Sequence, residues 1–175
     1  MKAGSSLKIR VASDGDWTNI YQLIEDNMLQ MQLELNLDWK PDSIVRHYQS
    51  KSVLVAELGQ QVVGFIAFHI SENVLYIDSL QVVKTLQHRL LGYRLIKTML
   101  GYLSAKQDIV SIRCCVFENN PAQKQYFAAG FKQIQRKDGI LTLEAELESL
   151  LSKLGLTDRV NHLTQTTTSD RLIAT

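Results

Sequence analysis

The sequence predicts an α+β fold built on a mostly antiparallel, twisted sheet, and three stretches carry that prediction. Extended apolar segments at residues 52–57, 61–70 and 74–83 follow one another, separated only by Leu58-Gly59-Gln60 and Ser71-Glu72-Asn73. That is the pattern of a meander joined by tight turns. Residues 80–100 begin extended, pass through a short basic turn at 84–89, and continue with apolar residues three and four apart: a strand feeding a helix. Residues 132–136 and 140–147 flank Lys137-Asp138-Gly139, a hairpin that closes the sheet.

The other elements follow in order. Residues 8–12 alternate as a first strand, and Ser13-Asp14-Gly15-Asp16 is a turn ending in a good helix cap. Trp17, Ile20, Tyr21, Ile24 and Met28 then recur with helical period. That regularity fades between Met28 and Trp39, so the helix is expected to end near Met28, and Pro41 starts a shorter one through Tyr48. The helix after the basic turn should run to Ser104 and bury Leu95, Ile96, Met99, Leu100 and Leu103, with Arg94, Lys97 and Thr98 outward. A strand at 109–117 leads to Asn119-Asn120-Pro121, which suits a helix start, and Gly130 suits its end. Residues 148–154 read as a last helix with Leu147, Leu150, Leu151 and Leu154 on one side. A homodimer contact or packing against the domain would both bury that stripe.

Composition bounds the function. A chain of 175 residues, 45% hydrophobic, fits one domain with a full core. We place that domain at residues 1–147, with a C-terminal helix and polar tail at 148–175. A net charge of +1 gives no field that would steer the protein to nucleic acid or a membrane. Residues 1–7 hold no apolar run of signal-peptide length, and no stretch is long and apolar enough to span a bilayer, which predicts a cytoplasmic protein. Cys114 and Cys115 are adjacent, so they form no disulfide framework, and both are expected as buried thiols. With no CxxC spacing, and with His47, His69, His88 and His162 scattered, no metal is indicated.

Two stretches point to chemistry. Unpaired N–H groups and the positive dipole end at the start of the helix after the basic turn make a seat for an anion. Lys84, His88, Arg89 and Arg94 lie around it, so a phosphate-bearing ligand is the natural occupant; basic residues at a turn can equally be solvated. Residues 119–131 are explained locally as a short capped helix.

The spacing within both stretches adds to this. Leu80-x-Val82, then Gln87-His88-Arg89-Leu90-Leu91-Gly92, then Leu95-Ile96, resembles the signature of the GNAT superfamily of N-acetyltransferases, Q/R-x-x-G-x-G/A after an L-x-V strand end. The last glycine is present and the first is replaced by Leu90. A second registration, Arg89-x-x-Gly92-x-Arg94, keeps the first glycine and loses the last; the Gln87 registration also places Leu80, Val82 and Leu95 where the family is apolar. Asn119-x-x-Ala122-x-x-x-Tyr126-x-x-x-Gly130-Phe131 resembles the family's motif after the fifth strand at every position. The resemblance spans about residues 9–147 and is sharp over 80–131.

The resemblance implies helices on both faces of the sheet and acetyl-CoA as cosubstrate. Its pyrophosphate would lie on Gln87, His88, Arg89, Leu90, Leu91, Gly92 and Tyr93. The backbone of Leu80 and Val82 would hydrogen-bond the pantetheine and thioester where the fourth and fifth strands splay, with Asn119 holding the arm. Tyr126 would be the general acid toward the departing sulfur. Asp78 is the first choice of base, expected on one strand face with Tyr76, Leu80 and Val82; Glu72, His69 and Glu118 stand behind it. Where relatives carry a glutamate this chain has Tyr76 and Cys114. Trp39, Met31 and Leu35 become candidates to line the acceptor site. Because glycine lets phosphate approach without a Cβ between, Leu90 is expected to push the ligand outward or tilt the loop, offset by Arg89 or Arg94. The acceptor would be a primary amine of a small molecule or an exposed protein amino group. The alternatives are a noncatalytic binding module on the same scaffold and an enzyme acting on charged tRNA, which near-neutral charge disfavours.

Overall fold

The computed structural model describes residues 6–87, 90–103 and 108–156. The chain divides into two compact units, Met1–His69 with Ile77–Leu100, and Ile70–Tyr76 with Gly101–Thr175.

In the first unit, β1 (Leu7–Val11) pairs antiparallel with β2 (Ser52–Leu58), Leu7 opposite Leu58. β2 pairs antiparallel with β3 (Gln61–Ser71), Ser52 opposite Phe68. Strands β2 and β3 are buried on both faces, which is how continuous apolar runs such as Val53-Leu54-Val55-Ala56 come to be used. Val55, Phe65 and Ala67 meet Ile20, Leu23 and Ile24 of α1 (Trp17–Glu34) and Tyr48 of α2 (Pro41–Gln49). Gly64 instead lies against Leu95 of α3 (Leu91–Tyr102). Helices therefore cover both faces here. A Cβ on Gly64 would stand 2.9 Å from the Gln81 carbonyl oxygen of β4 (Val74–Val82). Any side chain at this position would force the two strands apart.

Helix α1 runs six residues past Met28, where the sequence pattern ended, because the pattern reports burial and not helicity. Leu29–Glu34 are strong helix formers, yet Leu33 is 51% exposed. Asn36, at φ +55, supplies the left-handed stop. Asp16 does not cap α1 with its side chain. It closes a short 3-10 turn onto Ser13, accepting from the Ser13 amide at 2.7 Å and its hydroxyl at 2.9 Å. In α3 the buried residues are Leu91, Leu95, Met99 and Leu100, with Leu103 just beyond and Ile96 half-buried; Ser104 lies outside the described residues.

In the second unit, β5 (Ser111–Phe117) pairs antiparallel with β7 (Ile140–Glu146), Cys114 opposite Leu143. β6 (Lys132–Lys137) pairs with β7, its register shifting between Gln133 and Gln135. Asp138 and Gly139, at φ +50 and +75, make a two-residue turn, one residue shorter than expected because Lys137 pairs with Ile140 as the last residue of β6. Leu147, Leu150 and Leu151 of α5 (Leu147–Lys153) are buried as the helix packs on β7 and β5, so the leucine stripe is used within its own unit. The expectation of two buried thiols holds for Cys114 alone. Cys115 is exposed, because adjacent strand residues face opposite ways and only one face of β5 is covered. The seven strands form one mostly antiparallel sheet in the order β1-β2-β3-β4-β5-β7-β6.

Candidate active site

The anion seat forms where β4 ends. A 3-10 turn at Lys84–Leu86 redirects the chain, and α3 opens at Leu91, its first intrahelical bond running from the Arg94 amide to the Leu90 carbonyl at 3.0 Å. The amides of Leu91 and Gly92 have no carbonyl behind them within the helix. Leu90 stands at φ +60 and is 72% exposed. The backbone thus keeps the left-handed form that a glycine would adopt, at a cost of roughly 1–2 kcal/mol, and the leucine side chain turns to solvent. Among the described residues, a Cβ at Gly92 would meet only Leu80 Cδ2, at 3.6 Å. The protein's own packing does not require glycine there, whereas a diphosphate lying on the amides would. Coenzyme A therefore fits the residues at this helix start. His88 and Arg89 lie outside the described residues.

The Val82 carbonyl is engaged from two sides, by Asn27 Nδ2 of α1 at 3.1 Å and Gln87 Nε2 at 3.2 Å. Asn27 also donates to Gln81 Oε1 at 3.0 Å. Two acceptors fix the amide's orientation and leave Asn27 Oδ1 buried without a hydrogen bond.

Asp78 departs from the face expected of it. Leu80 and Val82 lie toward Gly92 and Leu95 on the α3 side. The Asp78 carboxylate meets the α2 side instead, with His47 Nε2 and Lys51 Nζ at 3.6 and 3.9 Å from Oδ1. Ser79, the next residue, accepts from Gln81 Nε2 at 3.2 Å, and the Gln81 side chain meets Asn27 and Met28 of α1. Consecutive residues thus both lie on the α1–α2 side, so strict alternation breaks between Asp78 and Leu80, which a period of two could not foresee. The closest partner of Asp78 is His69 on β3, with Nδ1 2.6 Å from Oδ2. Of the candidate bases, then, the structure brings Asp78 and His69 together. Glu72 sits in the β3–β4 turn at φ +48, and Glu118 is tied to Arg136 at 2.7 Å. Sequence reasoning missed His47 and Lys51, because nothing local links α2 to β4.

In the second unit, Asn120 rather than Asn119 organises the approach to α4 (Gln123–Ala129): its Oδ1 accepts from the Ala122 amide at 2.9 Å. Asn119 is exposed. Gly130, at φ +103, ends the helix as its position implied. Tyr126 and Phe131 meet edge to face, with centroids 5.5 Å apart, while Phe127 is 42% exposed. The packing aromatic is thus Tyr126. Burial, with a smaller contribution from Cys114, pushes its phenol well above the ordinary value of 10.0 and keeps it protonated. Cys114 is itself pushed up to about 12, first by burial. Tyr76 and Arg113 form a further network: Arg113 donates to the Tyr76 hydroxyl at 3.0 Å and to Glu144 at 2.9 Å through Nε. Trp39, a candidate for the acceptor site, donates to the Tyr21 hydroxyl at 3.1 Å and packs on the α1 core. Among the described residues no group of His, Cys, Asp and Glu could hold a metal ion, and no helix is long and apolar enough to cross a membrane.

A glycine-bearing helix start fed by a meander, and a short helix ending in Gly130-Phe131, are the two motif sites of one known family. A profile of the Acetyltransferase (GNAT) family matches residues 17–131. The chain belongs to this family. None of the curated proteins matches it by sequence. Among solved structures it is similar to the PaiA N-acetyltransferase of Thermoplasma acidophilum in complex with coenzyme A, with 19% identity and a TM-score of 0.66 over 81% of this chain and 99% of that one. It is also similar to the ribosomal-protein-S18-alanine N-acetyltransferase of Escherichia coli, with 13% identity and a TM-score of 0.63 over 81% of this chain and 94% of that one. Ard1 from Thermoplasma volcanium gives 20% identity and a TM-score of 0.60 over 80% and 97%. At these identities the likeness is one of fold.

Proposed function

We propose that the protein transfers an acetyl group from acetyl-CoA to a primary amine, of a small molecule or of an exposed protein amino group. The observation that carries this reading is the start of α3, where Gly92 has no packing partner that needs glycine and Leu90 already holds the left-handed turn. The diphosphate accepts hydrogen bonds from the Leu91 and Gly92 amides, aided by the helix dipole; Gln87, Leu90 and Tyr93 border it. The backbone of Leu80 and Val82 takes the pantetheine arm and thioester, a ligand N–H joining Asn27 at the Val82 carbonyl as the exposed Gln87 side chain turns away. Asn119 steadies the same arm.

Acetyl-CoA supplies an activated thioester, and the chain's own groups handle charge and protons. A backbone N–H at the thioester oxygen acts on developing negative charge, a contact whose removal costs about a hundredfold or more in other enzymes. Tyr126, held protonated by burial, gives its proton to the departing thiolate; the same desolvation raises the proton affinity of a thiolate delivered to it. The catalytic acid is thus Tyr126, and Asp78 acts on the amine side. The noncatalytic reading is favoured by one observation, the leucine at the motif's first glycine.

Calorimetry with acetyl-CoA separates the two, followed by thiol release with a panel of primary amines. We expect saturable binding by the wild type, tighter binding by Leu90→Gly, and thiol release with at least one amine. Tyr126→Phe should lose about a hundredfold or more in turnover with acetyl-CoA affinity unchanged. A wild type that gives no heat, beside a Leu90→Gly variant that binds, would establish the binding-module reading; no binding by either would end both.

A further inference from the structure

We propose that His69 is the proton acceptor for the incoming amine and that Asp78 is the residue that positions it. The proposal rests on the acetyltransferase reading above and names its base.

The geometry selects between the two side chains. Asp78 is the poorer candidate to meet an amine directly. Its side chain is 10% exposed; Oδ2 is held by His69 at 2.6 Å, and Oδ1 faces His47 and Lys51. The His69 side chain is 32% exposed. An ionised carboxylate only accepts hydrogen bonds, so a contact of that length obliges Nδ1 to carry the ring proton. Nε2 is then the lone-pair nitrogen of the neutral ring. A carboxylate behind a histidine fixes tautomer and orientation and stabilises the imidazolium once a proton arrives.

Position supports the assignment. Asp78 lies two residues before Leu80, whose backbone meets the thioester on the reading above. Two strand residues span roughly 7 Å, so a base beside Asp78 reaches an attacking amine directly or through one water. The charged and titratable groups near this pair include His47 and Tyr48 of α2 and Lys51 of the turn before β2. At 3.6 and 3.9 Å from Asp78, neither His47 nor Lys51 makes a short hydrogen bond to it.

The protons balance. The acceptor arrives as an ammonium ion and gives one proton to His69 Nε2, which passes it to solvent. The neutral amine forms the C–N bond as the C–S bond breaks. Tyr126 protonates the thiolate and is restored by the second amine proton. The sum is ammonium plus thioester giving amide, thiol and one released proton.

The test uses the full-length protein, acetyl-CoA, and the fastest acceptor among a diamine, a polyamine, an arylalkylamine, an amino-acid amide and an alanine-initiated peptide. His69→Gln should lower kcat/KM by about a hundredfold or more and remove the acidic limb of its pH profile, with acetyl-CoA affinity by calorimetry unchanged. Imidazole should restore part of the rate to His69→Ala and none to Asp78→Asn, which should lose rate mainly in kcat. A His69→Gln enzyme keeping the wild-type profile would overturn the proposal, as would loss of the limb in His47→Gln but not in His69→Gln. Nitrogen NMR of the histidine rings provides a readout independent of turnover. Neutral His69 should show a protonated Nδ1 and a bare Nε2, a preference lost in Asp78→Asn; the opposite tautomer in the wild type would refute the dyad. If acetyl-CoA does not bind, the acetyltransferase reading fails while the ring measurement still decides the geometry.

Discussion

Two aspartates in the first unit are buried to a similar degree and have partners of opposite character. Asp16, 5% exposed, accepts from Arg10 Nη1 at 2.7 Å and Nη2 at 2.9 Å, and the same guanidinium reaches Glu57 Oε2. Asp78 is held by a histidine, with a second histidine and a lysine farther off. The partner, more than the burial, decides what each carboxylate can do. A guanidinium stays protonated at any working pH and grips two oxygens at once, so the Arg10 network is a fixed clamp joining β1, β2 and the entry to α1. An imidazole has a lone pair as well as an N–H, which is what the role proposed for the Asp78 pair requires. The Arg10 hydrogen bond, ahead of the opposing cost of burial, holds the Asp16 carboxyl well below the usual range, and Arg10 is raised in return.

The sharpest way to break this contrast is to neutralise each aspartate. Asp16→Asn should destabilise by about 3 kcal/mol, the scale for removing one member of a largely buried pair, with activity per folded molecule unaltered. Asp78→Asn should do the reverse, losing turnover with a smaller shift in stability. Denaturant melts beside initial rates separate the two, and equal loss of stability in both would erase the distinction. The pH dependence gives a second reading. A carboxyl whose folded value is depressed stabilises the fold above its ordinary value, 3.8 for Asp16, and that contribution is lost as pH falls below it. Wild-type melting temperature should therefore drop below about pH 4, and Asp16→Asn should flatten that drop; a parallel drop in both would place the acid sensitivity elsewhere.

The two clusters were unequally legible in the sequence. Turn chemistry at Asp138-Gly139, the stop at Gly130 and the motif at residues 119–131 rest on short-range rules, and these placed the elements within a residue or two. Asp78 and His69 were both named as candidates, because titratable groups on a meander next to a motif stand out. Their pairing was not, since it depends on a break in strand alternation that leaves no trace in residue type. The Arg10–Asp16–Glu57 clamp was missed because its members are 6 and 47 residues apart. Asp16 read as an ordinary helix cap, and only the β1–β2 register, with Arg10 opposite Val55 and so diagonal to Glu57, brings the third member in. Leu90 at φ +60 was also beyond reach: leucine by itself argues against a left-handed residue.

A change at Gly64 should sharpen the comparison from a distance. A Cβ there would stand only 2.9 Å from the Gln81 carbonyl oxygen of β4, and β3 and β4 are the strands that carry His69 and Asp78. Gly64→Ala must spread them, at a cost of about 1–3 kcal/mol. The dyad should loosen while the Arg10 clamp does not. In the histidine NMR spectrum this would appear as loss of the His69 tautomer preference, with the acid limb of the stability profile retained. Loss of both features would mean that the two clusters share one rigid frame.

The smallest expected effect separates the outer members of the two clusters. Glu57, with its side chain 25% exposed, accepts from Arg10 Nε at 2.9 Å and Nη2 at 2.7 Å, a forked and charge-assisted contact. Lys51 approaches Asp78 only to 3.9 Å, beyond hydrogen-bond range. Glu57→Gln should therefore cost about 1 kcal/mol and Lys51→Gln less, because at 3.9 Å the ammonium makes no hydrogen bond that the substitution would remove. Salt should discriminate as well, because a contact made by charge alone is screened within a Debye length of about 10 Å at 0.1 M, whereas a forked hydrogen bond loses only part of its energy. If raising salt to about 1 M, where that length falls to about 3 Å, closes the Lys51→Gln difference but not that of Glu57→Gln, geometry separates the clamp from the exchangeable pair. If both differences close together, charge alone sets the strength of each, and the contrast between a fixed guanidinium and a titrating imidazole rests on proton affinity only.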